Sequence, residues 1–143
     1  MEFINLDRKL SDEEIADVES NLGISFPASL RDLFTNHNGG DPLPYVFQGY
    51  GLHTVVNETL PLISGEDRDT AVDTYRLLVL ERQIVEKRFF PFAIDPGGDY
   101  FFVDCETSDS RVYFYCSDTI DHNKLLDLGL SLKQFWDCLQ PED

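Results

Sequence analysis

Apolar and polar positions follow two different periods along this chain, and the switches between them mark its elements. Ile15, Val18 and Leu22 recur at helical spacing behind Ser11-Asp12-Glu13-Glu14. Ser11 and Glu14 fit a capping box, in which the hydroxyl accepts from the backbone three residues on and the carboxylate reaches back. Asp12, Glu13 and Glu14 also suit the positive end of the helix dipole, and Gly23 is the expected stop. A second helix is predicted from Pro27, because a missing N–H does no harm at a helix start. Leu30, Leu33 and Phe34 form its inner face, and Asn38-Gly39-Gly40-Asp41-Pro42 breaks it. Tyr45-Val46-Phe47 and His53-Thr54-Val55-Val56 read as short strands divided at Gly49 and Gly51. After a loop at 62–67, a third helix is predicted over 70–81 with Val72, Tyr75, Leu78 and Val79 inward. Its end, 77–80, is apolar on all sides and fits a partly extended segment as well as a helix.

The period then shortens to two. Phe90-Pro91-Phe92-Ala93-Ile94 and Tyr100-Phe101-Phe102-Val103-Asp104 flank Asp95-Pro96-Gly97-Gly98-Asp99. Aromatic and β-branched residues suit a pleated surface, and Pro and Gly supply the angles of a tight connection, so this segment reads as a β-hairpin. A third strand is predicted at 112–116 after a turn at 108–110. Large apolar groups on both faces imply a sheet covered by helices on one side and by loops over part of the other. Ser131-Leu132-Lys133-Gln134 is a second capping box. It opens a last helix with Leu132, Phe135, Trp136 and Leu139 buried and Pro141 as its end. With no linker, repeat or composition break, residues 1–143 read as one α+β domain, a mainly antiparallel sheet with helices packed around it.

Charge changes the picture more than size does. The 143 residues carry 27 acids against 11 bases, a formal net charge of −16. That field repels phosphate backbones and anionic lipid, which argues against nucleic-acid and membrane partners. It attracts a basic partner, although solubility alone is a sufficient reason for an acidic surface. No apolar run approaches about 18 residues, so no membrane-spanning helix is expected. The segment 1–7 lacks the pattern of a signal peptide. Cys105, Cys116 and Cys138 are odd in number with no C-x-x-C pair, which fits reduced thiols in a cytoplasmic protein.

Catalytic signatures are sparse. His37, His53 and His122 lie far apart in sequence, and the chain has no H-E-x-x-H, P-loop or G-x-S-x-G. Asp95, Asp99 and Asp104 surround a Gly-rich turn, which is a conceivable cation site and the basis of a metal-dependent enzyme. Aspartates at a turn more commonly bond their own backbone, so no metal or other cofactor is expected. Between 95 and 121 stand seven acids (Asp95, Asp99, Asp104, Glu106, Asp109, Asp118, Asp121) and one base, Arg111. Placed at strand ends and turns, they are expected to share one edge of the sheet. Asp12, Glu13, Glu14, Asp17 and Glu19 form a second acidic group on the first helix.

Three pieces in order resemble the SUKH superfamily of bacterial immunity proteins and fungal cell-wall synthesis regulators. The first is Ile15-x-x-x-Glu19-x-x-Leu22-Gly23-x-x-Phe26-Pro27 with Leu30-x-x-Leu33-Phe34 and Asn38-Gly39-Gly40. The second is the hairpin, with Pro91-Phe92-Ala93, Asp95, Gly97-Gly98-Asp99 and Asp104. The third is Val112-Tyr113-Phe114 with Ser131-Leu132 and Phe135. Phe26 departs from the Leu usual before that proline, and 43–86 matches poorly.

The resemblance implies a binding domain without catalytic residues. Its leading implication is a cytoplasmic immunity protein that neutralises a cognate toxin domain, in this family often a nuclease, through an acidic surface, as a monomer or homodimer. The alternative is a regulatory scaffold or adaptor of the same fold with no toxin partner. Glu19, Pro27, Gly39, Gly40, Pro91, Asp95, Gly97 and Gly98 are then structural, with Glu19 expected to accept bonds from nearby backbone. The candidate partner-binding residues are Tyr45, Tyr50, Asp99, Asp104, Glu106, Asp109, Asp118 and Asp121, with the two tyrosines as aromatic anchors.

Overall fold

A computed structural model describes residues 1–49, 51–119 and 123–142. The N-terminal strand β1 (Glu2–Ile4) pairs antiparallel with β2 (Asp41–Leu43), Phe3 opposite Pro42. The sequence reads 38–42 only as a break, yet Pro42 is tolerated here because the pair is short and stands apart from the main sheet. Between the two strands lie α1 (Asp12–Leu22) and α2 (Ala28–Asn36). Both halves of the first capping box form: the Glu14 N–H donates to Ser11 Oγ at 3.1 Å, and the Ser11 N–H donates to Glu14 Oε1 at 3.1 Å. Gly23 stops α1 at φ +69°, a left-handed angle that glycine adopts without strain.

A hairpin of β3 (Val46–Gly49) and β4 (Leu52–Val55) follows. Next come β5 (Glu58–Thr59) and α3 (Ala71–Tyr75), with Thr70 as cap. The helix predicted over 70–81 changes character halfway. Arg76–Glu81 is a π-helical segment, closed by the Arg82 N–H on the Leu77 carbonyl at 2.9 Å. Tyr75, Leu78 and Val79 are all buried as the spacing predicts. Their period serves an α- or a π-turn equally, so the pattern does not separate the two.

The main sheet has the order β5-β6-β7-β8-β9 and is antiparallel throughout. Its strands are β6 (Phe89–Ile94), β7 (Tyr100–Asp104), β8 (Arg111–Tyr115) and β9 (Leu125–Ser131). β9 stands where no strand was predicted, although Leu126, Leu128 and Leu130 alternate with Asp127, Gly129 and Ser131; Gly129 stands at φ +71° where the register with β8 shifts. The second capping box opens α4 (Leu132–Asp137), which ends before the Pro141 stop. The chain leaves the helix early because Gln140 pairs with Val46, N–H to carbonyl in both directions at 2.8 and 2.9 Å.

Register fixes the faces of the sheet. Phe101 opposes Phe114 and Val103 opposes Val112. Phe101 meets Phe135 of α4 at 5.1 Å between ring centroids. Phe90 belongs to the same face and meets Phe26, Phe34 and Tyr75 at 4.8, 5.9 and 5.1 Å. A bulge between Pro91 and Ala93 turns Phe92 toward Phe135 and Trp136 as well. The helices therefore cover this face around one aromatic core. Tyr100, Tyr113 and Tyr115 share the other face and remain half-buried. Phe89 joins them there, 4.9 Å from Tyr113, and Ile84 and Val85 of the preceding loop cover only part of it.

Candidate functional site

The hairpin turn is a closed hydrogen-bond unit. Asp95 Oδ1 accepts the Gly97 N–H at 3.0 Å and the Asp99 N–H at 2.9 Å, and Oδ2 accepts the Thr54 hydroxyl at 2.9 Å. The backbone adds Asp95 N–H to the Asp99 carbonyl and Gly98 N–H to the Asp95 carbonyl, with Gly98 at φ +85°. Asp99 is 9% exposed and takes the Ser117 hydroxyl at 2.5 Å and its N–H at 3.3 Å. These carboxylates tie the hairpin to β4 and to the end of β8. Among the described residues no three His, Cys, Asp or Glu side chains converge as metal ligands.

At the opposite end of β7, Asp104 is 4% exposed. It accepts the Glu106 N–H at 3.0 Å and lies 3.7 Å from Arg88 Nε. Glu106 is exposed and bonds Arg88 at 3.3 Å, and Arg111 binds Asp127 of β9 at 2.8 Å. Arg88 and Arg111 thus compensate much of the charge here. Asp109 and Asp118 are exposed. Tyr45 is half-buried, and its hydroxyl donates to Glu142 at 2.5 Å, a bond that raises its pKa. The candidate residues Tyr50 and Asp121 lie outside the described residues.

The expected single acidic edge is therefore corrected. An antiparallel strand carries its two turns to opposite ends, so Asp95, Asp99 and Asp118 are divided from Asp104, Glu106 and Asp109 by the length of β7. Asp99 and Asp104 belong to the interior.

Glu19 and the Asn38-Gly39-Gly40 step hold the helical layer. Glu19 Oε2 accepts the Phe26 N–H at 2.8 Å, and Oε1 pairs with Arg31 of α2. Asn38 is buried. Its amide donates to the Arg8 carbonyl at 2.9 Å and the Ile63 carbonyl at 3.3 Å, and accepts the Leu62 N–H at 2.7 Å. A Cβ on Gly40 would stand 2.6 Å from Leu6 Cδ2 and 3.0 Å from Phe3 Cβ. Pro27 caps the start of α2, and Pro91 occupies β6 beside its bulge.

Residues 9–138 match the SMI1 / KNR4 family (SUKH-1). The chain belongs to this family. Glu19, the Gly-Gly step and the Asp95–Asp99 turn, which carry the resemblance, are all occupied within the SUKH-1 fold, as scaffold. No curated protein matches the chain.

A further set of uncompensated acids stands elsewhere on this SUKH-1 domain. Asp12, Glu13 and Asp17 on α1, with Glu66, Asp67, Asp69 and Asp73, are exposed and form no ion pair among the described residues. One hollow between α1 and the α3 region is lined by Glu14, Asp17 and Asn21 of α1 and by Ile63, Val72 and the exposed Arg76. Arg68 reaches Asp7 at 3.1 Å, and Arg8 reaches Glu14 at 2.6 Å. The bond from Arg8 and the Ser11 N–H hold the Glu14 carboxyl down at about 2. Burial opposes the charge on Asp7, yet the bonds from Arg8 N–H, Ser64 and Arg68 bring its pKa below the usual range. The acids of 66–73 stand close together in sequence, and the fold sets α3 across a hollow from α1.

Proposed function

We propose that the domain is a non-enzymatic immunity protein that captures a basic protein, a cognate toxin domain, on the acidic surface of α1 and the 66–73 segment. The observation that carries this reading is the set of seven exposed carboxylates, without ion pairs among the described residues, on α1 and the 66–73 segment of a chain of net charge −16. A nuclease toxin must offer cationic side chains to its substrate, and such a surface competes for them. Membership of the SUKH-1 family supports the class, and the same geometry serves an adaptor that binds a basic partner with no toxin.

The test is a binding titration against the toxin domain encoded beside this gene, at low and high salt. Binding is expected to weaken steeply with salt, because exposed charges are screened beyond about 10 Å at 0.1 M. The triple variant Asp12→Lys, Asp17→Lys, Asp69→Lys should retain its fold by circular dichroism and associate at least about tenfold more slowly. No complex with the toxin at low salt, or equal association by the triple variant, overturns the proposal. Capture of a basic non-toxin partner instead supports the adaptor reading.

A further inference from the structure

The sign of the charge changes along α1. Its first turns carry Asp12, Glu13 and Asp17, exposed and without ion pairs among the described residues. Its last residue, Leu22, lines two hollows that carry bases. Arg76 stands in the first, and Lys87 and Arg88 stand in the second beside Gly23 and Ile24. Glu14 in the first is engaged by Arg8, and Glu106 in the second by Arg88. Arg88 is further engaged by Glu86 and Asp104. Arg76 and Lys87 are exposed and form no ion pair among the described residues. Both come from the segment 76–88, which holds Arg76, Arg82, Lys87 and Arg88 against Glu81 and Glu86 in a chain otherwise rich in acids. Leu77, next to Arg76, is 48% exposed.

We propose that two copies of this chain form a dimer about a two-fold axis that sets their α1 helices antiparallel, the acidic start of each against Arg76 and Lys87 at the end of the other. A two-fold interface is self-complementary, because each contact is made twice with the roles exchanged. A face with acids at one end and bases at the other meets that condition, whereas a partner of one sign matches only half of it. The 11 residues of α1 span about 16 Å at about 1.5 Å per residue. That exceeds the screening length of about 10 Å at 0.1 M salt, so the two ends act as separate poles. The same salt screens the long-range repulsion between two chains of charge −16 and leaves pairs in contact attracted. Leu77 adds an apolar contact beside Arg76. The dimer covers the α1 carboxylates proposed above to bind the basic partner, so the two assemblies compete for α1.

Sedimentation equilibrium of the full chain alone is the test. A dimer is expected at about 0.1 M salt, and its fraction should fall toward about 1 M as contact pairs are screened. Arg76→Glu with Lys87→Glu reverses the basic pole, and Glu13→Lys with Asp17→Lys reverses the acidic one. Each double variant should keep its helicity by circular dichroism and self-associate at least about tenfold more weakly, because like charges then face each other. Mixed in equal amounts, each variant presents the poles that the other lacks, and a heterodimer of wild-type strength should form. A wild type that is monomeric at every concentration, self-association untouched by either variant, or a mixture that stays monomeric overturns the proposal. No toxin enters this measurement, so a failed dimer leaves the partner reading standing, and a failed toxin titration leaves the dimer standing.

Discussion

Glu19 of α1 accepts the backbone N–H of Phe26 at 2.8 Å, across the turn that separates α1 from α2. The same carboxylate pairs with Arg31, so one side chain fixes the angle between two helices and the entry of Phe26 into the core. Its removal orphans a backbone donor and takes from Arg31 its ion pair, leaving the bond to the Asp12 carbonyl. Glu19→Ala is expected to cost about 1–3 kcal/mol. Glu19→Gln keeps an acceptor for Phe26 and should cost less. Urea unfolding of the three proteins checks this; an alanine variant as stable as wild type would remove Glu19 from the scaffold.

Gly39 and Gly23 both stand at positive φ, +71° and +69°, but only Gly39 is crowded. A Cβ there would lie 2.8 Å from Pro61 Cβ, whereas nothing lies within 4 Å at Gly23. Gly23→Ala should therefore lose only the left-handed preference, about 1–2 kcal/mol. Gly39→Ala must in addition displace a buried proline beside the Asn38 hydrogen bonds, and should cost more. Thermal unfolding midpoints of the pair decide it, and equal losses would mean that Pro61 yields freely.

Local chemistry was legible where it is satisfied locally. Both capping boxes, Gly23 and the Asp95–Asp99 turn could be read because each closes its bonds within a few residues. The core residues of α2 followed from period alone, and β6 to β8 were legible as apolar runs bounded by turns. Pairing across the chain was not legible. Pro42 reads as a breaker until Phe3 lies opposite it, and Gln140 ends α4 because Val46 is there to receive it. The candidate surface failed for a related reason. Acids close in sequence along a meander alternate between its two ends, so density in the sequence did not become density on the surface. Acids on α1 and at 66–73, far apart in sequence, remain exposed on elements that border one hollow.

Asp95 has both oxygens engaged by Gly97, Asp99 and Thr54. A hard cation would have to displace these donors, so millimolar calcium should leave the melting temperature of the wild type unchanged. Asp95→Ala should cost about 2–3 kcal/mol, since one carboxylate accepts three bonds. Faster hydrogen exchange is expected at the Gly97 and Asp99 amides. A calcium-dependent rise in melting temperature, lost in Asp95→Ala, would restore the metal reading.

His37 caps the end of α2 and stacks on Phe3 at 4.5 Å. Burial lowers its pKa from the ordinary 6.5, and the positive amino group of Met1 adds to the effect. The unfolded chain therefore binds a proton at a pH where the native imidazole is still neutral, so stability rises with pH across this window. Above 6.5 the contribution is fully present, and it is lost as pH falls through the native value. The carboxyls of Glu14 and Asp7 are also lowered, but from 4.5 and 3.8, so their contribution fades only in stronger acid. Between about pH 7 and pH 5, where histidine titrates, wild type should lose stability, and His37→Phe, which keeps a ring against Phe3, should lose less. Denaturant midpoints at several pH values measure both slopes, and parallel slopes would show that His37 is as free to protonate in the native state as in the unfolded chain.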